Sequence, residues 1–199
     1  MDKNFLKTIL NRLSKMGCHE ADVFFSKSKT SSCSSRLGKI EKKEESSTHE
    51  IGIRAIINKK QSIVSTTNLE KQNVYNLTEK VVEMAKVVPE NQYCGLAESD
   101  KIKQVSKQEV QKLEICDTYE PTMSLIEKEV IKLEESALDN KEITNSEGAE
   151  IAYSKNSICL LGSNGLEIEM EKTHSDFIIA VLAGSKDSME REYDYKSKV

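Results

Sequence analysis

Tryptophan is absent from the 199 residues, and apolar residues supply only 37% of them. Charged residues supply 31%. Typical shares are about 45–50% apolar, glycine included, and about 25% charged. The length allows one domain or two small ones, and a chain of this size could bury roughly 70% of its unfolded surface. A thin core with broad solvated faces is expected, completed by a partner or a further domain. Long apolar runs are also missing. The longest, Phe177 to Ala183, is far short of the ~20 residues a membrane-spanning helix needs. The start, MDKNFLKTILNRLSKMG, has no apolar stretch leading to a small-residue cleavage site, so it does not read as a secretory signal. No basic stripe stands out. The net charge is −4, and runs such as KIEKKEE at Lys39 to Glu45 mix both signs, which argues against a nucleic-acid footprint. CxxC is missing too. Five widely spaced cysteines, an odd number, suit reduced thiols in a cytosol better than a disulfide framework.

What is present is periodicity. Phe5, Leu6, Ile9, Leu10, Leu13 and Met16 fall on one helical face, and Gly17 is a natural stop. Ala21 to Lys27 reads as a strand, Ser34 to Ile40 as a second and weaker one, and Ile51 to Ile57 as a third with clean alternation. Lys59-Lys60-Gln61 is the expected turn before a returning strand at Ser62 to Ser65. Thr67-Asn68-Leu69-Glu70 has the spacing of a capping box ahead of Val74, Leu77, Val81, Ala85 and Val88, a helix that Pro89 ends. Glu90 to Gln104 is a polar loop, and Ser106 to Glu109 offers a second box before a short helix. Pro121 suits the first turn of a helix carrying Met123, Ile126, Val130, Leu133 and Ala137. After Asn140 the period changes to two. Leu166, Ile168 and Met170 alternate with Glu167, Glu169 and Glu171, giving one buried face and one row of carboxylates in water. Phe177 to Ala183, continuously apolar, is expected to be covered on both faces. Strands come in blocks around helices, which predicts an α+β fold with a mixed or antiparallel sheet, flanking amphipathic helices and a central helical segment at 69–139.

Gly162-Ser163-Asn164-Gly165 raises the question of a phosphate-cradling loop. Such a loop needs a lysine and a hydroxyl at a following helix start. Here an alternating strand follows instead, and its glutamates would repel an anion, so Asn164-Gly165 reads as a hairpin turn. Asn145-Ser146-Glu147-Gly148 reads as the turn leading into that hairpin. His19-Glu20 and His49-Glu50 resemble halves of a helical zinc motif, but neither has a second histidine one turn on. Both histidines are expected to be solvent-exposed. His174 and Asp176 share a strand face and are expected to form a surface hydrogen bond. Arg191, Tyr193, Asp194 and Tyr195 form a polar-aromatic cluster, the one candidate contact for a peptide or partner subunit. No residue is assigned a catalytic or metal-binding role.

Motifs spread along the chain carry a resemblance. They are Ala21-Asp22-Val23, Arg36-Leu37-Gly38-Lys39-Ile40-Glu41, Ile51-Gly52-Ile53-Arg54-Ala55 and Ser65-Thr66-Thr67-Asn68-Leu69, then Pro89 to Leu96, Thr144 to Ala149, Ser163-Asn164-Gly165 and Met189 to Tyr195. In this order the chain resembles the N-terminal region of the TldD/PmbA family, also known as modulator of DNA gyrase. Lys60 to Ser65, where TldD-type chains tend to carry a tryptophan-containing turn, looks like the PmbA (TldE) branch. Glu45 to His49 departs from the family's uninterrupted strand, so fraying is expected there. The resemblance implies one N-terminal domain over residues 1–199, with the family's β-rich C-terminal domain absent, as in a truncated product or fragment. It implies a cytoplasmic heterodimer with a TldD-type subunit that degrades unfolded or small peptides. Zinc and its H-E-x-x-x-H ligands are expected only in that partner, and no cofactor in this chain. This chain is then a non-catalytic subunit for pairing and substrate enclosure, binding neither nucleic acid nor membrane. The alternative is a stand-alone protein-binding or regulatory remnant without a peptidase role.

Overall fold

A computed structural model of the chain describes residues 2–185 and 188–199. The element order is α1 (Lys3–Lys15), β1 (Glu20–Arg36), β2 (Lys39–Ile57), β3 (Lys60–Thr66), α2 (Lys71–Val87), a 3-10 turn at Ser99–Lys101, α3 (Lys107–Gln111), α4 (Met123–Leu138), β4 (Ile143–Gly162), β5 (Glu167–Ala183) and β6 (Glu190–Lys198). The strands form an antiparallel sheet in the order β3-β2-β1-β4-β5-β6, so the fold is α+β, as the blocks of alternating pattern predict. No helix among the described residues is long and apolar enough to cross a membrane.

The described residues of Met1–Lys27, Thr48–Leu113 and Ser157–Met170 make one compact unit. Its core joins Leu6, Ile9 and Leu13 of α1 to Val74, Val81, Val82 and Ala85 of α2, over Ala21, Val23, Phe25, Ile51, Ile53 and Leu161 of the strands. Each leucine, isoleucine or valine among them, fully buried, is worth about 1.5–3 kcal/mol. Asp2 caps α1 by accepting from the Asn4 amide. Gly17, at φ +90°, ends the helix, and the next amide, that of Cys18, reaches back to the Leu13 carbonyl. Arg12 ties α1 to α2, donating to Thr78 Oγ1 at 3.1 Å and lying 5.0 Å from the Tyr75 ring. Ser62 of β3 donates to the Val81 carbonyl of α2 at 2.6 Å. Glu167 and Glu169 do not stand free in water as the alternation suggests. They grip Lys3 at 2.8 and 2.7 Å, and Glu167 also takes Lys7.

The described residues of Ser28–Ser47, Glu114–Asn156 and Glu171–Val199 make a second unit. Here α4 lays Ile126 and Val130 on Cys33, Ala149, Ile151 and Tyr153. Phe177 and Ile179 of β5 join that cluster. Ile178, which points to the other face of the strand, is 47% exposed. The 177–183 run is therefore not covered on both faces.

Several local expectations give way. Ser34 to Ile40 is not a strand of its own. β1 runs to Arg36, Leu37 and Gly38 turn at φ +50° and +72°, and β2 begins at Lys39. β2 then continues unbroken through 45–49, so no fraying occurs there. The β2–β3 turn falls at Asn58-Lys59, one residue earlier than expected. The first predicted capping box does not form. α2 starts after Glu70 without a side-chain cap, and Asn68 instead accepts from the Glu70 amide in a local turn. The second box, Ser106 with Glu109, does form. Pro121 precedes the α4 cap, Thr122, rather than lying in the first turn. Residues 145–148 lie inside β4. Gly148 sits there at φ +123°, and an added Cβ would meet the Ser35 carbonyl oxygen at 2.9 Å, so this close approach of strands requires glycine. Asn164-Gly165 is a turn, as read.

Candidate functional site

Three features hold polar chemistry in arranged form. The first is β6. Its register sets Tyr195 opposite Ile178, Asp194 opposite Ile179, Tyr193 opposite Ala180 and Arg191 opposite Leu182. Residues directly opposite share a sheet face. Arg191, Tyr193 and Tyr195 therefore lie with Ile178 on one face, and Asp194 lies on the other. The predicted cluster is split by the pleat. Arg191 donates to Glu147 at 2.5 Å and lies 5.8 Å from the Tyr193 ring. Tyr193 and Tyr195 remain 57% and 68% exposed. With Ile178, 47% exposed, they place apolar and aromatic side chains in water on one face of the sheet.

The second feature is Glu134, which the residue pattern alone does not reveal. It is fully buried on α4. Its carboxylate accepts from the Leu37 amide at 2.8 Å, the Gly38 amide at 3.0 Å and Ser35 Oγ at 3.2 Å. Burial pushes its acidity towards the neutral form. The Ser146 hydroxyl, the two hairpin amides and Ser35 outweigh that, and the group is held below the usual carboxylate range. This is a structural anchor for the β1–β2 apex. The signal that could have found it is spacing: Glu134 continues the stripe of Ile126 and Val130 towards the core.

The third is a cavity of about 250 Å³ within the second unit. α4 contributes Leu125, Ile126 and Glu129 to its wall, and the strands contribute Ile151, Tyr153 and Phe177. Asp117 closes one side, held to the sheet because its amide donates to Thr173 Oγ1 at 2.7 Å. Tyr153 is 5% exposed, and among the described residues its hydroxyl has no hydrogen-bond partner. Burial above all pushes that phenol up, and the carboxylates of Glu120, Asp117 and Glu171 add to it.

The histidine pairs are not among the residues of these three features. His19 is exposed, and Glu20 accepts from the Leu96 amide at 2.9 Å. His49 is not fully exposed. It is half-buried and stacked on Phe25, with ring centroids 6.4 Å apart. His174 lies 3.0 Å from Asp176, which also accepts from Ser197, the surface hydrogen bond expected. Among the described residues no three His, Cys, Asp or Glu side chains converge as a metal site. The five cysteines are unpaired.

Comparison with known proteins bears out the resemblance drawn from the motifs. Residues 21–85 match the family model for PmbA/TldA metallopeptidase domain 1. No curated protein matches the chain. Among solved structures, TldE from Thermococcus kodakarensis is similar, with a TM-score of 0.80 at 17% identity over 98% of this chain and 43% of that one. A structure titled a modulator of DNA gyrase from Bacteroides thetaiotaomicron gives 0.77 at 16% identity, over 98% of this chain and 44% of that one. One titled a modulator of a DNA gyrase from Thermotoga maritima gives 0.68 at 13% identity, over 98% and 42%. The chain thus spans less than half the length of these structures. Residues 21–85 therefore match the first domain of the PmbA/TldA metallopeptidase family, and 98% of the chain shares its fold with part of TldE and of the two gyrase-modulator structures.

Proposed function

We propose that this chain is a non-catalytic N-terminal domain of a PmbA/TldE-type subunit, working with a TldD-type subunit in a peptidase that degrades unfolded or small peptides. The observation that carries this reading is the likeness to TldE across 98% of the chain, together with the family match at 21–85. In this reading the chain helps to pair the subunits and enclose the peptide, with the strip of Ile178, Tyr193 and Tyr195 as its contact surface. Rigid aromatic side chains on a strand give large contact area at low entropic cost. The family implies zinc, and the His, Cys and carboxylate groups described above do not fit it. The zinc is accordingly assigned to the TldD-type partner. Five unpaired cysteines favour a reducing compartment, and we place the complex in the cytoplasm.

The test is co-purification of the tagged chain with a TldD-type subunit from the same organism. Stoichiometric capture is expected, and Tyr193→Asp with Tyr195→Asp should weaken it at least about tenfold, since buried aromatic anchors each carry more than ~1 kcal/mol. The chain alone should not hydrolyse casein-derived peptides. Failure of capture at micromolar concentration would instead support a separate binding or regulatory role. Zinc-dependent hydrolysis by the chain alone would overturn the non-catalytic assignment.

A further inference from the structure

The cavity under α4 has no part in the reading above, and its walls specify a chemistry. Ile126, Ile151 and Phe177 favour an apolar body. Only two wall side chains are charged, Asp117 and Glu129, and both are acidic. Glu129 is already bridged to Lys132 at 2.8 Å. Asp117 accepts the Tyr119 amide, at 2.9 Å, and has no ion pair among the described residues. Asp117 is exposed to water at the cavity wall, so an anion entering here meets two carboxylates, a neutral molecule gains from the apolar wall alone, and a cation gains from both wall types. The volume is below the roughly 300–1,000 Å³ of pockets for drug-sized ligands. It suits a group about as large as one amino-acid side chain.

We propose that this cavity binds an organic cation with an apolar body, its ammonium or guanidinium head meeting Asp117 and its hydrocarbon part lying between α4 and the strands. Two sources share this chemistry, a free amine and a basic side chain on a peptide. The proposal does not depend on a TldD-type partner.

The test uses the purified 199-residue chain. Amide resonances of Thr173, Ser175 and Phe177 are followed while adding 2-phenylethylamine, the neutral 2-phenylethanol, the anion 3-phenylpropanoate, or an N-acetylated and C-amidated Gly-Lys-Gly tripeptide. Saturable shifts are expected with the amine, the tripeptide or both, which identifies the source. The alcohol should bind about threefold more weakly, as an exposed carboxylate allows, and the anion more weakly still. Asp117→Asn keeps the oxygen that accepts from Tyr119 and removes the charge, so cation affinity should fall about threefold while the alcohol is unaffected. Ser175→Leu, which fills the cavity, should abolish both. The proposal is overturned if neither cation shifts those amides, if alcohol or anion binds as well as the amine, or if Asp117→Asn leaves cation affinity unchanged. The ligand comparison on the unaltered chain decides the matter even if a variant does not fold.

Discussion

At the scale of single residues, Glu134 and Tyr153 illustrate opposite relations between burial and hydrogen bonding. Glu134 is charged, fully buried and surrounded by donors. Removing the charge leaves two hairpin amides facing a carboxamide that offers only one acceptor. Glu134→Gln is therefore expected to lower stability by about 2 kcal/mol in urea unfolding at pH 7. Its folded pKa is depressed, so the stabilisation is complete above the unfolded carboxylate value of about 4.3. It is lost as pH falls through the lower folded value. The difference between the original chain and Glu134→Gln should be flat from pH 7 to about 5 and shrink in stronger acid. A difference that grows towards acid would contradict this account. Tyr153 buries a hydroxyl without a partner among the described residues. Tyr153→Phe should raise stability by about 1 kcal/mol, and a loss of that size would show that the hydroxyl is satisfied after all.

At the scale of elements, the β1–β2 hairpin carries strain at its apex. Leu37 occupies the left-handed region at φ +50°, where an L side chain costs roughly 1–2 kcal/mol. It is also more than half exposed, so little packing offsets that cost. Leu37→Gly should gain about 1 kcal/mol by thermal or urea unfolding, less the extra entropy glycine brings to the unfolded chain. The same hairpin shows what can be read from the residues alone. α1, α2 and α4 are legible because Leu6, Ile9, Leu13 and their counterparts repeat with the helical period. Ile51 to Ile57 is legible because one strand face is buried. The outer part of β2, from Glu41 to Thr48, is exposed on both faces and so carries no alternation to read. The turn at Leu37-Gly38 reads as strand because leucine gives no sign of a positive φ. Asn145 to Gly148 reads as a turn because its composition is that of turns, although Gly148 serves a close strand contact. Spacing places Glu134 on the core stripe of α4, but its partners appear only once the hairpin is folded beside it.

At the scale of the whole molecule, the sheet leaves apolar and aromatic side chains in water. Ile178, Tyr193 and Tyr195 stand open on one sheet face, and every residue of β6 is exposed. Subunit capture therefore has a definite expected footprint. Hydrogen exchange of β6 amides should slow by at least about tenfold when a TldD-type subunit binds, while α1 and α2, already packed on their own core, should change little. Protection confined to α1 and α2 would move the contact elsewhere. The candidate contact residues are visible in the sequence because arginine and tyrosines cluster there. That the pleat divides Asp194 from the others follows once 190–198 is a strand; which β5 residues lie beside each is what the folded sheet adds.

β6 closes the strand order, so along its free margin a row of peptide groups is available to any other extended chain. What restrains indiscriminate stacking is the side-chain sequence itself, with Glu190, Arg191, Glu192, Asp194, Lys196 and Lys198 crowding that border with charge. Replacing Lys196 and Lys198 with valine removes two of those six charges from the end of the strand, and such a protein should precipitate more readily on storage than the original.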